Sequence, residues 1–196
     1  MQILVDELAL FVCVHMYKYS ICDVMNPFQL FLICILISAT FVLDRFPEVA
    51  NLRFVWWLEI RGMINNLALS PNTQYAAYLV FKLIDGNGFE NLPVDLSVGV
   101  EGSHSIKIVC LDPNVERRQN RRHVRLYGHA RLNDRVVGLP RPSVRSDGWL
   151  EIEMGEFFNS GLENEEVQMS VIEIKAGEIK RNFFLEGIEV RPKVDN

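Results

Sequence analysis

The sequence predicts an all-β protein, a jelly-roll-like antiparallel β-sandwich that follows a hydrophobic N-terminal extension. After Leu43, short stretches of alternating apolar and polar residues are separated by Gly, Pro and Asn, with no long helical period between them. Hydrophobic residues make up 49% of the chain and charged residues 23%, which is enough apolar material for a packed core. We therefore expect an extension over residues 1–43 and one domain over residues 44–196.

The extension is distinguished by its lack of charge. Residues 28–43 contain no charged side chain, but this run falls short of the ~20 residues that span a bilayer comfortably. The extension also lacks the basic segment and cleavage site of a secretory signal. Three interpretations stay open: a membrane anchor, a hydrophobic helix packed on the domain, and translated sequence that is not part of the native fold.

The first strand of the domain is predicted at residues 54–61, which are rich in aromatic and β-branched side chains. Trp56 and Trp57 are adjacent in this stretch, so they would face opposite ways and one of them would lie in the core. A turn is predicted at residues 69–72, because its Pro fixes φ and its Asn tolerates turn geometry.

The other strands show the same alternation of apolar and polar residues. They are predicted at residues 75–84, 94–100, 105–111, 148–154, 166–171 and 183–190. Glu151 and Glu153 would share the outer face of one strand, where solvation explains them more simply than acid–base catalysis does. One short helical turn is predicted at residues 156–159.

Charge argues against a nucleic-acid partner. The formal net charge is -5 and the isoelectric point is about 5.4, whereas nucleic-acid-binding domains are commonly basic. The arginine-rich run at residues 117–122 could serve nuclear import or bind phosphate. A solvated loop between strands is the simpler interpretation of this run.

Cysteine and histidine patterns predict neither a metal site nor a disulfide framework. Three of the four cysteines lie in the first 43 residues, and no two have the spacing of a zinc or redox site. The sequence also lacks phosphate-binding, dinucleotide-binding, hydrolase and metalloprotease motifs. We therefore expect reduced, idle thiols and a protein that is not an enzyme and needs no cofactor.

Six ordered blocks resemble the plant phloem protein 2 family, which is related to the Nictaba lectin and commonly follows an F-box. The blocks are residues 46–50, 57–62, 70–83, 145–158, 166–169 and 187–192. The resemblance implies a jelly-roll-like sandwich that binds N-acetylglucosamine oligomers or N-glycan cores in the cytoplasm and nucleus. In full-length relatives with an F-box, it implies that glycosylated targets are presented to ubiquitin-ligase components.

The resemblance also implies a sugar site. Related lectins use two tryptophans from a segment ahead of this domain and two glutamates, which map onto Glu166 and Glu173. Both carboxylates would accept hydrogen bonds from sugar hydroxyls. No tryptophan precedes residue 46 here, so half of that site has no counterpart. Trp149 is a further candidate to stack on sugar, although a core position is its preferred interpretation.

Strand geometry limits a joint site for the two glutamates. Glu166 and Glu173 are seven residues apart, so an unbroken strand would turn them to opposite faces. A bulge near residues 171–172 would bring them to one side. Without a bulge, at least one of them has a structural role, such as pairing with an arginine.

Two hypotheses for the function follow. The first is a sugar-binding module with glycans or glycoproteins as partners, and the second is a protein-interaction scaffold that has lost sugar binding. A ubiquitin-ligase adaptor would need an F-box, and none is recognisable in the short N-terminal segment. We expect the protein in the cytoplasm or nucleus, or at a membrane if residues 28–43 are an anchor, and a homodimer is a candidate assembly.

Overall fold

The computed structural model describes residues 8–10, 49–52, 55–84, 88–89, 92–114, 136–162, 164–175 and 178–193. The uncharged run at residues 28–43 and the arginine-rich run at residues 117–122 lie outside the described residues. No helix within the described part of the chain is long and apolar enough to cross a membrane.

The described chain is built almost entirely of β-strands. They are β1 (Leu8–Leu10), β2 (Ala50–Leu52), β3 (Leu58–Asn65), β4 (Thr73–Leu83), β5 (Pro93–Val100), β6 (Ser103–Cys110), β7 (Ser143–Val144), β8 (Leu150–Asn159), β9 (Glu166–Glu173) and β10 (Phe183–Pro192). A 3-10 turn, Asn66–Ala68, lies between β3 and β4.

The strands form two antiparallel sheets. The six-stranded sheet has the order β1-β10-β4-β8-β7, and β2 also pairs with β10. β1 lies beside residues 188–190 and β2 beside residues 183–185, along the edge of β10 opposite β4. The extension therefore adds a short strand to the domain's sheet. The four-stranded sheet has the order β3-β9-β5-β6.

The core lies between the two sheets, because the strands turn every second side chain inward. β9 shows this alternation from end to end. At the end of the core where β10 begins, the rings of Phe81 and Phe89 stack on Phe183 with centroid distances of 5.2 and 5.4 Å. The sequence-based prediction of an all-β sandwich is confirmed.

The prediction for the two adjacent tryptophans is wrong. β3 begins at Leu58, so Trp56 and Trp57 precede the strand, and neither lies in the core. Trp56 is half-buried and Trp57 is 40% exposed. The chain approaches β3 through a single bridge between Val55 and Lys180, which keeps both indoles outside the space between the sheets.

The helical turn predicted at residues 156–159 is also wrong, because β8 continues to Asn159. Phe157 turns inward and stacks on Tyr75 with a centroid distance of 5.7 Å, so packing favours the extended chain. The turn at residues 69–72 is confirmed, and Asn72 has a φ of 51°. The remaining predicted strands are present with shifted ends, whereas β1, β2 and β7 are not evident from the sequence pattern.

A lysine on the outermost strand of the four-stranded sheet points toward the other sheet. Lys107 of β6 is half-buried, and its Nζ donates a hydrogen bond to the backbone carbonyl of Glu153 at 3.1 Å. The Glu153 carboxylate lies 3.7 Å from the same ammonium. The neighbouring Ile106 and Ile108 face outward and are exposed. β6 therefore holds an ammonium on the side of the strand that faces β8.

A buried ion pair closes one end of the sandwich, which we call the Lys180 end. The Lys180 side chain has no exposed surface, and its ammonium contacts the Glu173 carboxylate. Nζ also donates to the backbone carbonyls of Trp56 at 3.0 Å and Glu178 at 3.2 Å. Because β9 belongs to one sheet and β10 to the other, this pair fixes the connection between the sheets.

A buried amide organises the opposite end, which we call the Asn159 end. Nδ2 of Asn159 donates to the backbone carbonyls of Asn66, Leu69 and Ser70 at 3.0 to 3.2 Å. Its Oδ1 accepts from the Gly161 backbone N–H at 3.0 Å. One side chain thus joins the β3–β4 turn to the loop after β8.

Replacing Lys180 with Met should lower the free energy of unfolding by about 3–5 kcal/mol, because the buried Glu173 carboxylate loses its cation. Chemical denaturation followed by tryptophan fluorescence measures the change. Lys193→Met is the matched control, since Lys193 pairs with Glu156 at the surface and its loss should leave the stability unchanged. Equal effects of the two substitutions would contradict a structural role for the buried pair.

Asn159→Ala should lower the free energy of unfolding by about 2–3 kcal/mol, because buried backbone groups lose their hydrogen-bond partner. Thermal and chemical unfolding measure the effect. Asn164→Ala removes an exposed amide that bonds to Asn65 at 2.7 Å, and this control should cost much less. A protein equally stable with either substitution would show that the Asn159 amide does not organise its end of the sandwich.

Candidate functional site

The three residues predicted to contact sugar lie at two ends of the sandwich. Trp149 precedes β8 and Glu173 ends β9, both at the Lys180 end, whereas Glu166 begins β9 at the Asn159 end. The structure therefore brings Trp149 and Glu173 to one end and leaves Glu166 at the other.

The two glutamates do not share a face. β9 pairs with β3 without a register shift, so Glu166 is exposed while Glu173 faces inward with 4% of its side chain exposed. Seven residues at ~3.3 Å each separate them by roughly 23 Å. Glu173 also accepts a hydrogen bond from the Lys175 backbone N–H at 3.0 Å. Glu173 therefore has the structural role that was expected for an unbroken strand, and its partner is Lys180 instead of an arginine. A sugar contact at either glutamate stays a prediction.

Trp149 is half-buried and is not a core residue, so its preferred sequence-based interpretation is wrong. The next residue, Leu150, takes the inward position. The Trp149 backbone N–H donates to Asp147 Oδ1 at 3.0 Å, and its carbonyl accepts from the Arg145 N–H at 2.8 Å. The Lys82 ammonium lies 4.3 Å from the centroid of the indole ring. The turn and this cation–π contact hold the ring against β4.

Trp149 borders the outer face of the six-stranded sheet, where charged and aromatic side chains are concentrated. The register places Tyr78 of β4 between Glu189 of β10 and Glu153 of β8, so these three side chains share a row. We call the following set the charged face: Tyr78, Arg145, Trp149, Glu151, Glu153, Glu189 and Arg191.

Arg145 reaches from the turn before β8 across the sheet to β10. Its Nη1 lies 2.9 Å from Glu189 Oε1 and 3.5 Å from Glu151 Oε2, and its Nε lies 3.4 Å from Asp147 Oδ2. The side chains of Arg145 and Glu189 are only 11% and 10% exposed. Burial opposes the charge of Arg145, but the hydrogen bond that it donates to Glu189 and the charges of the nearby carboxylates outweigh this effect, so the pKa of Arg145 is raised. The guanidinium is therefore charged and fixed in position.

Arg191 and Tyr78 complete the charged face. Nη2 of Arg191 donates to Glu151 Oε2 at 2.8 Å, and the guanidinium carbon lies 3.7 Å from the centroid of the Tyr78 ring. Burial, followed by the charge of Glu153, raises the pKa of Tyr78. The phenol therefore stays protonated at neutral pH and can donate a hydrogen bond.

The charged face offers fixed hydrogen-bonding groups of both kinds beside an aromatic ring. Glu151 and Glu153 supply acceptors, Arg191 and Tyr78 supply donors, and Trp149 supplies an apolar surface. A polyhydroxylated ligand suits this combination, because its hydroxyls both donate and accept while its C–H faces pack on rings. Within the described ranges, no cluster of His, Cys, Asp and Glu is arranged to hold a metal ion.

Cys110 adds no reactive group to this surface. Its thiol is buried and takes part in no disulfide. Burial raises the pKa of the thiol, so little thiolate is present at neutral pH. The other three cysteines lie outside the described residues.

Sequence reasoning missed most of the charged face. Alternation along β8 indicates that Glu151 and Glu153 share a face, and the structure confirms this. Alternation does not reveal that β4 and β10 lie beside them, so Tyr78 and Glu189 could not be assigned to the same surface. The alternation of Glu189 and Arg191 was the available signal that β10 has a charged outer face.

Residues 37–192 match the phloem protein 2 family. F-box protein PP2-B10 of Arabidopsis thaliana is 41% identical over 153 residues, which cover 76% of this chain and 50% of that protein. F-box protein PP2-B13 of the same plant is 38% identical over 162 residues, covering 76% and 56%. The chain spans about half the length of the curated relatives it matches.

A solved structure, the insecticidal delta-endotoxin Cry8Ea1 from Bacillus thuringiensis, is 14% identical with a TM-score of 0.32, covering 69% of this chain and 18% of that chain. This likeness is too low to bear on fold or function. The family match, in contrast, includes every strand from β2 to β10. The resemblance inferred from the sequence is confirmed, and the chain belongs to the phloem protein 2 family.

Proposed function

We propose that this domain binds carbohydrate on the charged face, with N-acetylglucosamine oligomers or N-glycans as its ligands. Membership of the phloem protein 2 family supports a lectin-like domain. The observation that carries the proposal is the position of Trp149 beside carboxylates and guanidiniums that hold one another at 2.8 to 2.9 Å. Groups that are ordered before binding lose little conformational freedom when the ligand arrives.

The ligand contacts of such a surface are few and solvent-facing. We therefore expect a dissociation constant in the upper micromolar to millimolar range, equivalent to roughly -4 to -6 kcal/mol. The proposed role is binding and not catalysis, and it requires no cofactor.

The proposal extends to target selection for ubiquitylation. The relatives named above are F-box proteins, and this chain spans about half of their length. In a protein that also carries a ligase-docking domain, the charged face would present a glycoprotein to the ligase. The proposed place of action is the cytoplasm or nucleus.

A protein-interaction scaffold is the second candidate function, and one observation favours it. Ile106 and Ile108 are exposed on the outer face of the four-stranded sheet, and Ile106 is 71% exposed. Exposed apolar patches commonly mark protein-binding surfaces. Enzymatic deglycosylation of a cell extract separates the two functions, because a scaffold would capture the same partners afterwards whereas a lectin would lose them.

Trp149→Ala should weaken binding to chitooligosaccharides by about tenfold, because the ligand loses its aromatic stacking surface. Isothermal titration calorimetry measures the affinity, and circular dichroism verifies that the variant is folded. Trp57→Ala is the matched control, since it removes an exposed indole from the segment just before β3, away from the charged face. Wild-type affinity in the Trp149→Ala protein, or no glycan binding by the folded wild type, would refute the proposed site.

Glu166→Ala tests the glutamate implied by the family resemblance. If the ligand lies on the charged face, this substitution should leave the affinity unchanged, because Glu166 projects from the other sheet. A large loss of affinity would instead place the sugar on the four-stranded sheet. Glu173→Ala is not informative here, because it removes a buried structural ion pair.

A further inference from the structure

The outer side of β8 carries an aromatic ring at each end and carboxylates between them. We call this line of outward side chains the β8 track and define it, in chain order, by Trp149, Glu151, Glu153, Glu156 and Phe158. Trp149 lies at the Lys180 end of the sandwich and Phe158 at the Asn159 end. Phe158 is 60% exposed, and within the described part of the chain it is the one exposed phenylalanine.

A β-bulge brings the side chains of the track to one face. β8 has one residue more than β4 between Glu153 and Gly155, so the register shifts there. The extra residue, Met154, is fully buried, and a Cβ on Gly155 would lie 3.3 Å from Val98 of the opposite sheet. Both residues therefore point inward, and the outward positions change from odd-numbered to even-numbered residues. Without the bulge, Phe158 would face the core.

The backbone on both sides of Phe158 is anchored. Phe157 turns inward and stacks on Tyr75, and the buried amide of Asn159 donates to three backbone carbonyls. Phe158 pairs with Gln74 of β4 between these two anchors. The strand therefore holds the ring on the solvent side. A large apolar side chain exposed on an ordered strand commonly marks a binding surface.

Every carboxylate between the two rings lies beside a cation. The pairs along the track are Glu151–Arg191, Glu153–Lys107 and Glu156–Lys193. The hydrogen bond from Lys193 lowers the pKa of Glu156, so this carboxylate is ionised at neutral pH. The track thus offers acceptors and donors in equal numbers with no excess of charge, which suits the hydroxyls of a neutral sugar chain.

We propose that Phe158 is a second stacking residue of the carbohydrate site and that the ligand lies along β8, from Trp149 to Phe158. This inference rests on the carbohydrate-binding function proposed above and extends the site beyond the charged face. Sugar units at the two ends pack their C–H faces on the rings. The hydroxyls of the units between them bond to the carboxylates and their cations.

The separation of the two rings sets the length of the ligand. On β4, the partners of Leu150 and Phe158 are Phe81 and Gln74, and Trp149 lies one residue before Leu150. The two rings therefore project from positions that are about eight residues apart, a distance of roughly 26 Å. A β-1,4-linked chain grows by about 5 Å per sugar unit, as its bond lengths dictate. A chain of about six units reaches both rings, whereas a chain of about three units reaches one.

A short ligand would occupy the Trp149 end of the track. Arg145 is fixed near Trp149 by a hydrogen bond of 2.9 Å to Glu189, and ordered groups of this kind lose little freedom when a ligand binds. Phe158 then adds affinity only for a chain that is long enough to reach it. Trp149 serves ligands of every length, and Phe158 selects the longer ones.

Calorimetric titration of the full chain with chitohexaose and with chitotriose tests the second ring. Phe158→Ala should weaken chitohexaose binding by about tenfold and leave chitotriose binding unchanged, because only the longer chain reaches this position. Phe158→Trp keeps an aromatic surface and should retain the wild-type affinity. Phe158→Leu keeps only apolar bulk and should bind chitohexaose as weakly as Phe158→Ala does.

Met63→Ala is the matched control, since it removes a side chain that is 56% exposed on the outer face of the other sheet. It should change neither affinity, and circular dichroism verifies that each variant is folded. Unchanged chitohexaose affinity in Phe158→Ala would overturn the inference, as would an equal loss of affinity for both sugars.

The function proposed above has its own readout in the same titrations. Chitotriose binding that Trp149→Ala weakens supports that function whatever the Phe158 variants do. A folded wild type that binds neither sugar would refute the proposed function, and the inference about Phe158 would fall with it.

Discussion

The contact between Lys180 and Glu173 is the constraint on which the rest of the sandwich depends. The chain passes from the four-stranded to the six-stranded sheet between these residues, and both side chains are buried. An ammonium has three donors, and one carboxylate and two backbone carbonyls are available to them. Gly88 packs so closely on this segment that a Cβ there would collide with the Ile179 carbonyl. The approach to β3, the start of β10 and the β4–β5 connection are thus held at one point.

Much of the fold could be predicted because period-two alternation is a local property of the sequence. β9 and β5 keep one buried face, and their patterns identify them correctly. The predicted strand began too early, at Trp56 and Trp57, because aromatic residues favour a strand in the sequence pattern. A strand forms only where the backbone has a neighbouring strand to pair with, and β3 begins at Leu58. The helical turn predicted around Phe157 is wrong because this side chain packs inward on Tyr75, which is distant in the chain.

The candidate site was less predictable than the fold, since it is created by pairing between strands that are distant in sequence. Arg145 and Glu189 are 44 residues apart, yet their side chains form a hydrogen bond across the sheet. The family resemblance implies that Glu166 and Glu173 bind sugar, but residue spacing cannot reveal that Glu173 forms a buried ion pair with Lys180. The two outer faces also differ in character: one is an ordered array of ion pairs, and the other exposes isoleucines.

The inward-pointing Lys107 has a consequence for how this protein behaves when it is concentrated. An outermost strand with exposed isoleucines could add further strands without limit and seed fibrous aggregates. Extending the sheet in register beside β6 would bury the Lys107 ammonium at the new junction or separate it from Glu153. Among the described strands, this charge opposes the addition of a further strand beside β6, although the isoleucines next to it are exposed.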